Sequence, residues 1–71
     1  MITTIGIELG ERIKELRRKQ GITQERLAEL IKTSYKYIQR IEGKTPPDIR
    51  LTTVARLAKA LNVKPAELLK F

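Results

Sequence analysis

Residues 23–42 read Thr23-Gln24-Glu25-Arg26-Leu27-Ala28-Glu29-Leu30-Ile31-Lys32-Thr33-Ser34-Tyr35-Lys36-Tyr37-Ile38-Gln39-Arg40-Ile41-Glu42. Two short helices joined by a tight turn account for this pattern. Thr23 suits an N-cap, because its hydroxyl can accept a backbone N–H, and Gln24 and Glu25 suit the turn that follows. The third position after the cap is Arg26, so a full capping box is absent. Ile22, Leu27, Ala28 and Ile31 place one small and several branched residues on one side of a two-turn helix. Thr33 and Ser34 compete to cap the next helix, which carries Ile38 and Ile41 inward and runs to about Glu42.

Outward from this pair the chain remains helical. Leu9, Ile13 and Leu16 recur at steps of four and three between Ile7 and Gln20, with Arg12, Glu15, Arg18 and Lys19 on the other faces, which is an amphipathic helix. Gly21 supplies the left-handed residue that commonly closes one. After Glu42, the paired Pro46 and Pro47 remove donors and force extended geometry, so 43–47 reads as a loop. Asp48 is placed to cap a fourth helix bearing Leu51, Val54, Leu57, Ala58 and Leu61, which Asn62 ends in a left-handed conformation. Pro65 opens a short fifth helix with Leu68 and Leu69. The expectation is an all-α, compact five-helix domain over residues 1–71, with 1–6 as a flexible N-terminal extension.

Composition narrows the function. With 41% hydrophobic residues but one Phe, two Tyr and no Trp among 71, the core is built from Leu, Ile, Val and Ala. A chain this short buries only about 60% of its unfolded surface. There is no Cys and no His, so thiolate chemistry and the usual transition-metal ligands are missing. No conspicuous carboxylate pair stands in for them, and neither an enzyme nor a cofactor is expected. No run approaches the ~18 apolar residues of a membrane span, and residues 1–10 lack a signal-peptide pattern; no membrane association is expected, and the location expected is cytoplasmic. Fifteen Lys and Arg against eight Asp and Glu give a net charge of +7, which favours a polyanionic partner.

Position sharpens that inference. Projecting Ser34 to Glu42 at about 100° per residue puts Tyr37, Ile38 and Ile41 on one side and Tyr35, Lys36, Gln39 and Arg40 on the other. The second side holds donors and an aromatic ring, with no acid before Glu42, and suits bases and phosphates. Lys32, Lys36, Arg40 and Lys44 recur every fourth residue and form one basic stripe to the extent that the segment is helical.

Four segments carry a resemblance: Ile13-Lys14-Glu15-Leu16-Arg17, Gly21-Ile22-Thr23-Gln24-Glu25-Arg26-Leu27-Ala28, Ile38-Gln39-Arg40-Ile41-Glu42 and Leu57-Ala58-Lys59-Ala60-Leu61-Asn62-Val63. Together they resemble the phage lambda repressor and Cro type of helix-turn-helix proteins, the XRE-type transcriptional regulators, over about Leu9 to Leu69. The resemblance implies that the second helix lies across the DNA backbone while the third enters the major groove, usually in a dimer on a near-palindrome. Carried over by position, Gln24 bonds a phosphate, and Tyr35, Lys36 and Gln39 read bases. Ser34 and Tyr37 flank them, at positions that touch sugar, phosphate or a thymine methyl, although Tyr37 borders the apolar arc and also fits the core edge. Arg40 and Lys44 clamp the backbone. Arg17 and Glu42 match a structural ion pair tying the first helix to the end of the third.

Three departures limit the carry-over. Lys32 stands where the turn usually has Gly, so either it accepts left-handed geometry or the turn differs. The segment from Gly43 to Ile49 is differently spaced. Lys64 replaces a frequent capping Ser.

The function expected is sequence-specific recognition of double-stranded DNA by a transcriptional regulator, a repressor or autoregulatory controller of the kind seen in phage, restriction-modification or toxin-antitoxin operons, with no small-molecule ligand evident. Leu61, Val63, Leu68, Leu69 and Phe71 are candidates for a homodimer seam, against the alternative that most of them close the monomer core. The competing reading is an antitoxin or adaptor that uses the same fold to bind a protein.

Overall fold

The computed structural model describes residues 4–71. Five helices follow one another, α1 (Thr4–Lys19), α2 (Gln24–Leu30), α3 (Tyr35–Ile41), α4 (Leu51–Ala60) and α5 (Pro65–Leu68), with no strand among the described residues. The helix α1 begins at Thr4, earlier than the Ile7 at which the sequence pattern starts, so 4–6 are helical rather than a flexible extension. The remainder of the expected extension lies outside the described residues.

Three of the helices end in the same way. After α1 the Ile22 N–H donates to Arg17 O at 3.0 Å and Gly21 N–H to Arg18 O at 3.1 Å. After α2 the Thr33 N–H donates to Ala28 O at 2.9 Å and Lys32 N–H to Glu29 O at 3.1 Å. After α4 the Val63 N–H donates to Ala58 O at 2.9 Å and Asn62 N–H to Lys59 O at 3.1 Å. Each is a Schellman ending, and the residue between the two bonds is left-handed, with φ of 68° at Gly21 and 57° at both Lys32 and Asn62. The next residues at two of these ends, Ile22 and Val63, pack back on the core. Gly and Asn accept this conformation readily. Lys32 does so at a cost of roughly 1 kcal/mol, so the turn keeps its usual geometry despite the missing Gly.

The N-termini are less uniform. Thr23 Oγ1 accepts from Arg26 N–H at 3.0 Å and Ser34 Oγ from Tyr37 N–H at 3.2 Å, so Ser34, not Thr33, caps α3. Asp48 does not cap α4. The chain stays non-helical past the prolines to Arg50, whose extended backbone occupies the cap position without a side-chain bond. The same shift puts Leu51 in an overhanging first turn, 82% exposed, instead of in the core. Lys64 likewise gives α5 no side-chain cap, and Pro65 opens the helix.

The core gathers Leu9, Ile13 and Leu16 of α1, Leu27 and Ala28 of α2 with Ile31, Ile38 and Ile41 of α3, Val54, Leu57 and Ala58 of α4, then Leu61 and Leu68. Gly10 permits a close backbone approach within it. A Cβ there would sit 2.1 Å from Ile41 O, so α1 crosses directly over the end of α3. No described helix is long and apolar enough to cross a membrane.

Two stability changes follow. Gly10→Ala drives a methyl into backbone that cannot move aside, and is expected to cost about 2–3 kcal/mol in a denaturant titration. Lys32→Gly relieves the left-handed strain and is expected to raise stability by about 1 kcal/mol, less whatever freedom it adds to the unfolded chain. A neutral Gly10→Ala would remove the close approach, and a destabilising Lys32→Gly would remove the strain.

Candidate nucleic-acid interface

The outward side of α3 is fixed by its inward side. Ile38 and Ile41 are fully buried, and the helical repeat then turns Lys36, Gln39 and Arg40 into solvent, where all three are exposed. Tyr35 follows the cap at 44% exposure, an uncommon position for an aromatic ring without a partner. Ser34 is exposed while its hydroxyl caps the helix. Tyr37 is half-buried and packs against the core, so its ring belongs to the edge of the hydrophobic interior. The face thus presents a phenol, an ammonium, a carboxamide and a guanidinium with no carboxylate among them, able to donate to guanine or adenine edges and to phosphate oxygens.

A buried ion pair holds α3 in place. Arg17 Nε donates to Glu42 Oε2 at 2.8 Å and Nη2 to Oε1 at 2.9 Å, while Nη1 donates to Ile22 O at 2.8 Å. Arg17 is 8% exposed and the Glu42 side chain 2%. The hydrogen bond to Glu42 raises the Arg17 pKa above the ordinary arginine range, outweighing the opposing effect of burial. So far as Arg17 titrates, that contribution is present at neutral pH and is lost in strong alkali. One guanidinium fastens the end of α1, the turn before α2 and the end of α3.

Gln24, expected at a phosphate, joins this network in the free chain. Its Nε2 donates to Glu42 Oε1 at 3.1 Å, because a buried carboxylate has lone pairs beyond the two that Arg17 engages. The first turn of α2 is thereby tied to the end of α3. Nothing local in the sequence signals a contact between residues 18 positions apart.

The basic stripe does not exist as one line. Only Lys36 and Arg40 share α3. Lys32 lies in the left-handed turn, which swings it toward α4, where it borders a cleft with Arg56 and Lys59. Lys44 lies past the end of α3 and borders a different cleft, with Lys14, Arg18 and Lys19 of α1, where Glu11, Glu15 and Glu42 also line the walls. Arg18 and Lys19 are legible on the outer faces of α1, but none of the three cations is expected from the sequence as a DNA contact, because their closeness to Lys44 is tertiary.

The dimer candidates separate by burial. Leu61 and Leu68 are fully buried in the single chain and Val63 packs against the core, so these three close the monomer. Leu69 and Phe71 remain exposed. Leu69 lines an apolar cleft with Ile5, Pro46, Pro47, Ile49 and Leu51.

Two capped helices joined through a Schellman turn, with a donor-rich face on the second, define a DNA-binding protein of the helix-turn-helix class. The chain belongs to the helix-turn-helix family, whose pattern matches residues 13–68, in agreement with the lambda repressor and Cro resemblance. Similar solved structures include the restriction-modification controller protein C.AhdI from Aeromonas hydrophila, 34% identical over 87% of this chain and 92% of that one, with a TM-score of 0.81. The hypothetical transcription factor NHTF from Neisseria is 26% identical over 92% of this chain and 74% of that one, with a TM-score of 0.84. The clp gene regulator ClgR from C. glutamicum shares the fold, with 23% identity over 97% of this chain and 87% of that one and a TM-score of 0.88. No curated protein sequence matches the chain.

Arg17→Ala strands a buried carboxylate, and is expected to cost about 3–5 kcal/mol in a denaturant titration, a large share of the stability of so small a domain. Arg18→Ala, one residue away and exposed, is expected to change stability by less than about 0.5 kcal/mol. Comparable losses for the two would contradict the bracket.

Proposed function

We propose that the protein is a sequence-specific transcriptional regulator that inserts α3 into the major groove of double-stranded DNA. The observation that carries this reading is the acid-free, exposed side of α3 opposite two fully buried isoleucines. Lys36 is the reader of guanine O6 or N7, Gln39 of adenine N6 and N7, and Tyr35 donates its hydroxyl or packs on a thymine methyl. Ser34 flanks them beside sugar and phosphate. Arg40 grips one stretch of backbone, and Lys44, with Lys14 and Arg18 across the cleft, grips another. Gln24 acts first as a strut, through Glu42, and its helix turn offers N–H groups to a phosphate.

The regulator acts as a homodimer on a near-palindromic operator, with a seam built on the exposed Leu69 and Phe71 and the apolar cleft of Ile5 and Leu51. Repression or autoregulatory control is the mode, a reading supported by the 34% identity to a restriction-modification controller. We assign it no catalytic step. Its place of action is the cytoplasm, where its DNA would lie.

Selection of bound duplexes from a random pool is expected to return a palindrome with half-sites roughly 34 Å apart. On that operator, Lys36→Ala and Gln39→Ala are expected to lose about 1–3 kcal/mol of discrimination at particular base pairs, whereas Arg40→Ala weakens cognate and scrambled duplexes alike. Affinity should fall with salt at a log–log slope of about −0.9 per phosphate contacted. Equal losses on both duplexes for Gln39→Ala would take it off the list of readers. Indifference to duplex DNA at low salt would sink the proposal as a whole.

A further inference from the structure

A second basic surface lies where two helix ends meet. Leu30 at the end of α2, the left-handed Lys32, and Arg56, Lys59 and Ala60 of α4 line one open cleft of about 510 Å³. No outward residue of α3 lines it, and neither does any acidic side chain. Lys32, Arg56 and Lys59 are all exposed, and none enters an ion pair among the described residues.

Part of this arrangement is structural. The Arg56 guanidinium donates to Ile31 O, which fixes the side chain across the end of α2, and the C-termini of α2 and α4 both border the cleft. Their partial charges amount to about −0.5 each, so three cations leave about +2 unneutralised on a small area. Helix ends therefore explain how the cations sit close together without explaining why so many are there. Lys32 adds a second anomaly. It occupies a backbone conformation that glycine adopts without strain, at an exposed position where its side chain satisfies nothing inside the fold. Strain kept at an exposed site points to use of the side chain.

We infer that this cleft docks an acidic segment of a partner protein. Its carboxylates face Lys32, Arg56 and Lys59, and an apolar side chain rests on Leu30, itself 41% exposed, and on Ala60. Charge complementarity selects the acids, and the aliphatic floor selects protein over nucleic acid. A phosphate backbone brings no apolar group to Leu30, and the cleft has no aromatic ring on which a base can stack. The surface goes beyond DNA reading and does not depend on it, since none of the base-reading residues contributes.

The test uses the full chain and a short synthetic peptide alternating Glu and Leu, titrated at low salt and followed by backbone-amide NMR. Shifts are expected to centre on Leu30, Lys32, Arg56, Lys59 and Ala60. The double variant Lys32→Gln, Lys59→Gln is expected to bind the peptide about tenfold more weakly while keeping its affinity for duplex DNA. Lys32→Gly guards against misfolding: it is expected to melt no lower than the parent and still to lose peptide affinity. A peptide with Ser for Leu, or Gln for Glu, should bind more weakly than the original. The inference is overturned if no shift appears, if shifts centre on Tyr35, Lys36 and Gln39, or if the double variant binds the peptide as before. It is also overturned if the Gln-for-Glu peptide binds equally well. Duplex DNA shifting the cleft residues and binding the double variant more weakly would make the cleft a phosphate surface, and would leave the reading of α3 intact.

Discussion

The Arg17–Glu42 pair is the constraint on which the rest of the structure depends. A guanidinium is planar and forked, so it meets a carboxylate with two parallel bonds and has a third direction left for a carbonyl. In this chain those directions lead to Glu42 and to Ile22 O. The end of α1, the turn into α2 and the end of α3 are therefore positioned by a single side chain, with Gln24 adding the start of α2. A recognition face of the kind proposed for α3 needs a rigid support of this sort. The support works from beneath, because its carboxylate is buried while the face above it carries cations and neutral polar groups and no acid.

Helix endings do the complementary work of setting direction. Three Schellman turns reverse the chain after α1, α2 and α4, and each carries one left-handed residue. Where that residue is Gly21 or Asn62 the turn is cheap. At Lys32 the turn persists against a backbone preference of roughly 1 kcal/mol, between the buried Ile31 and Ile38. The close contact of Gly10 with Ile41 O serves the same end from the other side, letting α1 press on α3 with no side chain between them.

Charge is distributed more selectively than a net of +7 suggests. Lys36 and Arg40 stand on the face of α3; Lys14, Arg18, Lys19 and Lys44 border a cleft between α1 and the loop after α3; Lys32, Arg56 and Lys59 gather at the ends of α2 and α4. The acids on α1 are partly engaged within the domain, as where Arg12 bonds Glu15 at 2.6 Å and lowers its pKa from the ordinary carboxylate value. The face of α3 and the cleft at the ends of α2 and α4 are free of acids, whereas the cleft beside Lys44 mixes its cations with Glu11, Glu15 and Glu42.

What the amino-acid order determined by itself is the local pattern. Periods of three and four in the apolar residues, Thr23 as a cap, Thr33 and Ser34 as competing caps, Gly21 and Asn62 as endings and the prolines in the loop are all short-range signals, and they suffice for five helices, most of the core and the outward side of α3. Tertiary structure decided what depends on distances between remote segments. It drew Gln24 to Glu42, moved the start of α4 past Asp48 and left Leu51 in solvent. It also buried Leu61 and Leu68, and broke an apparent basic row, leaving Lys36 and Arg40 on α3 and sending Lys32 and Lys44 to different clefts. The reason is that helical periodicity fixes which side a residue faces only within its own helix. Which other helix, carboxylate or solvent waits on that side is set by how the helices cross.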